Sequence, residues 1–126
     1  MKLEELMLRA LPAAANDDAE FAIAARMWDA EVILGSDGNS VRMSIVGGRI
    51  TDVASAPAAT DAQIRITGPD DGWQKMLAPL PPPFYQDLFG ASIHHGFTIE
   101  GAVEDVYPYY PALRRLIELL RVEAWR

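Results

Sequence analysis

The sequence has 126 residues, enough for one domain whose core needs no disulfide or metal staple. Its 11 basic and 18 acidic side chains leave a formal charge of −7, which argues against a nucleic-acid partner and against an anionic membrane surface. Half of the residues are apolar and 23% are charged, a composition that folds. With no cysteine, disulfides, thiolate metal sites and cysteine nucleophiles are excluded. No apolar run approaches the roughly 20 residues of a membrane-spanning helix.

At the N-terminus Leu3, Leu6, Met7, Ala10 and Leu11 recur at helical spacing. Glu4 and Glu5 come early and Arg9 late, as the helix dipole prefers, and Pro12 is expected to end the helix. This short amphipathic helix, over about residues 2–11, packs on the domain or on a partner. The two glutamates also interrupt the apolar stretch of a secretory leader, so cytoplasmic residence is expected. Phe21, Ile23, Met27 and Trp28 fit neither helical nor strand periodicity well, and Asp18–Trp28 is read as helix.

From Glu31 the texture changes. Val32-Ile33-Leu34 is a β-branched apolar run, and Ser36-Asp37-Gly38-Asn39 is turn chemistry. Val41, Met43 and Ile45 alternate with Arg42 and Ser44, which places the three on one buried face. Gly47-Gly48 is a second tight turn leading into Arg49–Val53, so a three-stranded antiparallel meander is predicted. Ala54–Thr60, broken by Pro57, reads as a small-residue loop, and Gln63–Thr67 as a fourth strand.

Gly68-Pro69-Asp70-Asp71 offers a turn and a helix start, followed by Trp73, Met76 and Leu77 at i, i+3 and i+4. Pro79 and Pro81-Pro82-Pro83 stop that helix, and Phe84 to Leu88 begins another turn with Tyr85, Leu88 and Phe89 on one side. Phe97–Gly101 reads as a fifth strand. Pro111 suits the first turn of a closing helix, where its missing N–H is not needed. Leu113, Leu116, Ile117 and Leu120 make its apolar stripe, with Arg114, Arg115, Glu118 and Arg121 on the other side. The expected fold is α+β, a five-stranded, mainly antiparallel sheet with helices covering one face.

Candidate chemistry is sparse. His94-His95 is the only histidine pair, read as loop or strand-end residues, and no metal-ligand spacing accompanies it. Asp70-Asp71 and Glu104-Asp105 lie beside turn signals and read as caps or solvated acids. The serines lack the strand–Gly-x-Ser-x-Gly–helix setting of an elbow nucleophile. The proline run reads as a rigid strut, with a polyproline ligand as its alternative. No catalytic residue, metal or cofactor is therefore assigned. What remains is an apolar group: Trp73, Met76, Leu77, Phe84, Tyr85, Leu88, Phe89, Phe97 and Ile99. Met43 and Ile45 from the sheet, and Leu116, Ile117 and Leu120 from the last helix, can join it. Such a group is either solid core or the wall of an apolar cavity.

The run Val41-Arg-Met-Ser-Ile-Val-Gly-Gly-Arg-Ile begins a pattern that continues with Asp61-Ala-Gln-Ile-Arg-Ile-Thr-Gly and the Trp73–Leu77 helix. With Gly96-Phe-Thr-Ile-Glu-Gly and the Leu113–Leu120 helix, it resembles the sterol carrier protein type-2 family over about residues 31–121. Departures are Gly101-Ala102 where the family has Gly-Asp, Asp61-Ala62 near the fourth strand, the triple proline and the Tyr107–Tyr110 cluster. No peroxisomal tripeptide ends the chain. The resemblance implies a lipophilic tunnel between sheet and helices and no catalytic residues.

Three readings follow. The first is non-catalytic binding of a lipophilic molecule, a sterol, fatty acyl or similar, by the fourteen-membered apolar group above. The second is a homodimer or helper of an enzyme with a vestigial pocket, using the Leu3–Leu11 stripe, Tyr107–Tyr110 and Trp125 as interfaces. The third, least favoured because the chain closes on a helix, is a small ketosteroid-isomerase-like enzyme using an acid or His95.

Overall fold

Two turns set the sheet. The computed structural model describes residues 2–57 and 60–126. One hairpin joins β1 (Ala30–Ser36) to β2 (Asn39–Val46), and Gly47-Gly48 joins β2 to β3 (Arg49–Ala56). Gly47 and Gly48 have φ of +57° and +77°, the left-handed pair that a two-residue hairpin turn needs. At Gly48 a Cβ would also lie 2.5 Å from the Ala25 carbonyl oxygen. β4 (Ile64–Thr67) runs parallel to β1, with Val32 opposite Ile64 and Leu34 opposite Ile66. β5 (Thr98–Glu100) pairs antiparallel with β4, giving the order β3-β2-β1-β4-β5. The fold is α+β, with a mixed, mostly antiparallel sheet.

Alternation sorts the two faces. Val32, Leu34, Val41, Met43, Ile45, Ile64 and Ile66 are buried in the core beneath the helices. Each such side chain contributes about 1.5–3 kcal/mol relative to exposure. On the other face Arg42 pairs with Glu31 and with Asp52, both at 3.0 Å, and donates to Ser44 at 2.6 Å. Hydrogen bonds to Glu31 and Asp52 hold the Arg42 guanidinium pKa above its ordinary value. Ile33, buried on that polar face, lies in register between Arg42 and Arg65.

The N-terminal helix does not stop at Pro12. It runs through α1 (Leu3–Glu5), a π-helical stretch (Leu6–Ala10) and α2 (Leu11–Asn16). Pro12 falls in the first turn of α2, with the wider π turn directly ahead of it. Within it the Leu11 N–H bonds to the Leu6 carbonyl, five residues back. Leu6, Met7 and Leu11 are fully buried, so the stripe packs on the protein's own sheet and is not a free interface.

In the ambiguous segment only Ala19–Ala24 is helix (α3), and Met27 takes a left-handed φ of +65°. Phe21, Ala25 and Trp28 are the buried residues there, whereas Ile23 and Met27 are exposed, which is why the apolar pattern fits no period. β3 continues to Ala56, through the start of the expected loop; residues 58 and 59 of that loop lie outside the described residues.

α4 (Asp70–Met76) forms as expected. The next helix does not begin at Phe84: Phe84 has φ +68° and α5 spans Leu88–His94. His94 thus ends a helix instead of lying in a loop or at a strand end, whereas His95 lies in the loop between α5 and β5, as expected. Glu104 and Asp105 sit in the first turn of α6 (Val103–Val106), where acids favour the helix dipole. α7 (Tyr110–Ala124) closes the fold with Pro111 in its first turn.

Asp18 joins the two ends of the chain. Its carboxylate accepts from the Phe21 N–H at 2.8 Å, capping α3, and from the Arg115 guanidinium of α7 at 2.8 and 2.9 Å. Arg115 first, and the Phe21 N–H as well, hold the Asp18 pKa down to about 2. A carboxyl depressed in the folded state adds stability above its unfolded pKa, and that stability is lost as pH falls through the folded value. Asp18→Ala is expected to cost about 1–2 kcal/mol in denaturant unfolding at neutral pH, through the lost cap and ion pair. Its stability should fall less steeply than wild type between about pH 4 and pH 2.

Candidate functional site

A groove of about 690 Å³ opens at the β1–β2 hairpin end of the sheet. Its floor is Leu34 of β1 and Val41 of β2, which face each other across the ladder. One wall is α4 with the residue after it, contributing Asp70, Trp73, Gln74 and Leu77. Lys2, Leu3, Glu4 and Glu5 form a second wall, Ala124 and Trp125 a third, and Ser36 and Asn39 complete the rim. An apolar floor, polar groups at the edge and this volume suit a small molecule.

The position of α4 follows from its hydrogen bonds. The Trp73 indole N–H donates to the Gly35 carbonyl at 2.8 Å, tying the helix to β1. Phe97 meets the same indole edge-on, with ring centroids 5.1 Å apart. That approach is open because Gly68 and Gly72 present no side chain to the Phe97 ring. At the other end of α4 the last carbonyls have no partner within the helix. Arg121 donates from Nε to the Met76 carbonyl at 3.0 Å, and Trp125 from Nε1 to the Leu77 carbonyl at 2.6 Å. Burial lowers the Arg121 guanidinium pKa, and its Nη2 has no partner among the described residues. Asp70, in the first turn of α4, accepts from the Ser36 hydroxyl, while its own N–H donates to Asp37 at 3.1 Å.

Of the apolar group singled out in the sequence, Trp73 and Leu77 border this groove. Met43, Ile45, Met76, Tyr85, Leu88, Phe97, Leu116, Ile117 and Leu120 are buried in the common core, and Ile99 packs against it. Phe84 is 52% exposed and stacks on His94 at 3.9 Å. Phe89 stacks on Tyr110 at 4.2 Å. His95 stacks on Tyr85 at 3.7 Å and bonds the Pro83 carbonyl at 3.0 Å, so both histidines hold the proline-bearing loop against α5. Neither borders the groove.

The tyrosine cluster is largely spoken for within the fold. Tyr109 stacks on Trp28 at 5.0 Å, and the Tyr110 hydroxyl donates to Asp87 while accepting from the Phe89 N–H at 3.2 Å. Burial, then the Asp87 carboxylate, pushes the Tyr110 phenol pKa up. Only Tyr107 stays well exposed.

Sequence reasoning missed Leu3, Leu34, Val41, Gln74 and the acids at the rim as groove residues. Hydrophobicity marked the first three as packing, and nothing local showed that α4 and the N-terminal helix stand apart above them.

This arrangement, a hairpin-rich sheet under a layer of helices, is the sterol carrier protein 2-like fold. A crystal structure of sterol carrier protein 2 superposes with a TM-score of 0.75, at 15% identity over 96% of this chain and 95% of that one. The solution structure of a conserved hypothetical protein from Thermus thermophilus, described as possibly a sterol carrier protein, gives 0.72 at 16% identity, covering 94% and 86% of the two chains. A UbiJ-SCP2 ubiquinone synthesis protein gives 0.58 at 15% identity, covering 97% of each. No family model matches the sequence, and no curated protein does. Among the described residues no helix is long and apolar enough to cross a membrane.

Trp125→Phe removes the only donor that the Trp125 ring offers to the Leu77 carbonyl. The expected cost is about 1 kcal/mol, the net worth of one such bond, read as a lower denaturation midpoint with unchanged slope.

Proposed function

We propose that this protein binds a lipophilic small molecule, a sterol, fatty acyl or similar, without chemically changing it. The single observation that carries the reading is the groove floored by Leu34 and Val41 and walled by Trp73 and Leu77. The likeness in fold to sterol carrier protein 2 supports it. Apolar area removed from water yields about 25 cal/mol per Å² before ordering costs, so micromolar affinity requires roughly 330 Å² of it, most of it the ligand's own.

A fluorescent sterol should bind saturably at micromolar concentration and change the intrinsic tryptophan emission. Trp73 and Trp125 border the groove and Trp28 does not. Exchanging both Trp73 and Trp125 for Phe should therefore abolish the emission change. A linear, unsaturable titration of the wild-type protein overturns the reading.

A second reading, a helper subunit or homo-oligomer, draws on the likeness to the UbiJ-SCP2 ubiquinone synthesis protein. It draws as well on Leu80, Phe84 and Ile93, exposed on and beside the loop that the histidines hold. Light scattering and co-purification test it: a strict monomer that retains no partner counts against it. The enzyme reading loses His95 as its base, because that ring stacks on Tyr85 and bonds the Pro83 carbonyl away from the groove, and it keeps only the acids at the rim.

A further inference from the structure

Resting on the lipid-binding reading, we propose that the groove selects amphiphiles whose head group donates hydrogen bonds and carries no negative charge, a hydroxyl or an amine, and turns carboxylates away. The selection is built into the rim. Glu4, Glu5 and Asp70 border the groove, and Lys2 is the only cation among its described lining residues. Arg121 of α7 donates from Nε to the Met76 carbonyl and does not border the groove.

Two of these carboxylates are held in place. Glu4 accepts from the Ser55 hydroxyl of β3 at 2.7 Å, and Asp70 accepts from the Ser36 hydroxyl. Each of these carboxylates has room for further donors, because an ionised carboxylate offers about four acceptor positions. The rim amide Gln74 supplies both donor and acceptor atoms, but its donors are neutral. A lipid with its body on Leu34, Val41 and Leu77 brings its head out beside this acidic edge. An ammonium there gains attraction and donates to carboxylates, and a hydroxyl donates without repulsion. A fatty carboxylate can donate nothing and meets a net negative rim in a partly water-excluded cleft, where charge repulsion is less screened than in bulk water. The overall charge of −7 adds to that repulsion.

The test is a chain-matched series of dodecylamine, dodecanol and dodecanoate, each below its aggregation limit at neutral pH, displacing a fluorescent sterol from the full chain. Amine and alcohol should displace the probe, and the carboxylate should need at least tenfold more, a gap that narrows as salt is added. The double variant Glu4→Gln, Glu5→Gln should shrink the gap below threefold, chiefly by letting the carboxylate compete better. Equal displacement by all three, or a carboxylate that competes better than the alcohol, overturns the head-group selection while the lipid-binding reading stands. A gap that the double variant leaves intact overturns the assignment to this rim. If the sterol itself does not bind saturably, the lipid-binding reading falls, and the selection falls with it.

Discussion

The indole N–H of Trp73 is shared with the Gly35 carbonyl at 2.8 Å, and that contact decides where α4 lies over the sheet. The Gly35 carbonyl also accepts from the Gly68 N–H at 3.1 Å, so strand, turn and helix meet at one oxygen. A buried indole without a partner would carry a desolvation penalty, which makes the pairing directional and not merely apolar. Arg121 and Trp125 then fix the far end of the same short helix by satisfying carbonyls that seven residues of helix cannot satisfy alone. With both ends held, α4 stands apart from the N-terminal helix, and the groove is the space between them.

Much of this was legible in the sequence, for physical reasons that differ by element. Gly38, Gly47 and Gly48 announce hairpins because few other residues tolerate their left-handed backbone angles, and the strands beside them follow from simple alternation. Leu113, Leu116, Ile117 and Leu120 announce a helix because nothing interrupts their spacing. Pro12 misled because a proline can be absorbed by a π turn, which leaves no local signature. Phe84 misled because its left-handed backbone is secured by tertiary stacking on His94.

The site was less legible than the fold. Trp73 and Leu77 were visible as apolar, but so were Met76 and Leu120, and hydropathy does not tell a wall from a filling. Which apolar side chains face empty space depends on gaps between elements distant in sequence. The Asp18–Arg115 pair, which sets how α7 sits against α3, spans 97 positions and has no local pattern to reveal it. The acids at the rim looked like ordinary helix-start residues, and they are that too: Glu4 and Glu5 open α1, and Asp70 opens α4.

Two of the groove's three walls are made by the tips of helices: Leu3, Glu4 and Glu5 at the start of α1, and Ala124 and Trp125 at the end of α7. Leu3 and Ala124 pack against the core and Trp125 holds α4, but Glu4 and Glu5 lie outside the core, so exchanging those two leaves the sheet and the α7 stripe almost untouched. The scaffold can thus drift toward new guests by altering peripheral positions, one or two at a time, without first acquiring compensating stability. Ligand preference and architectural persistence are physically separable in this molecule.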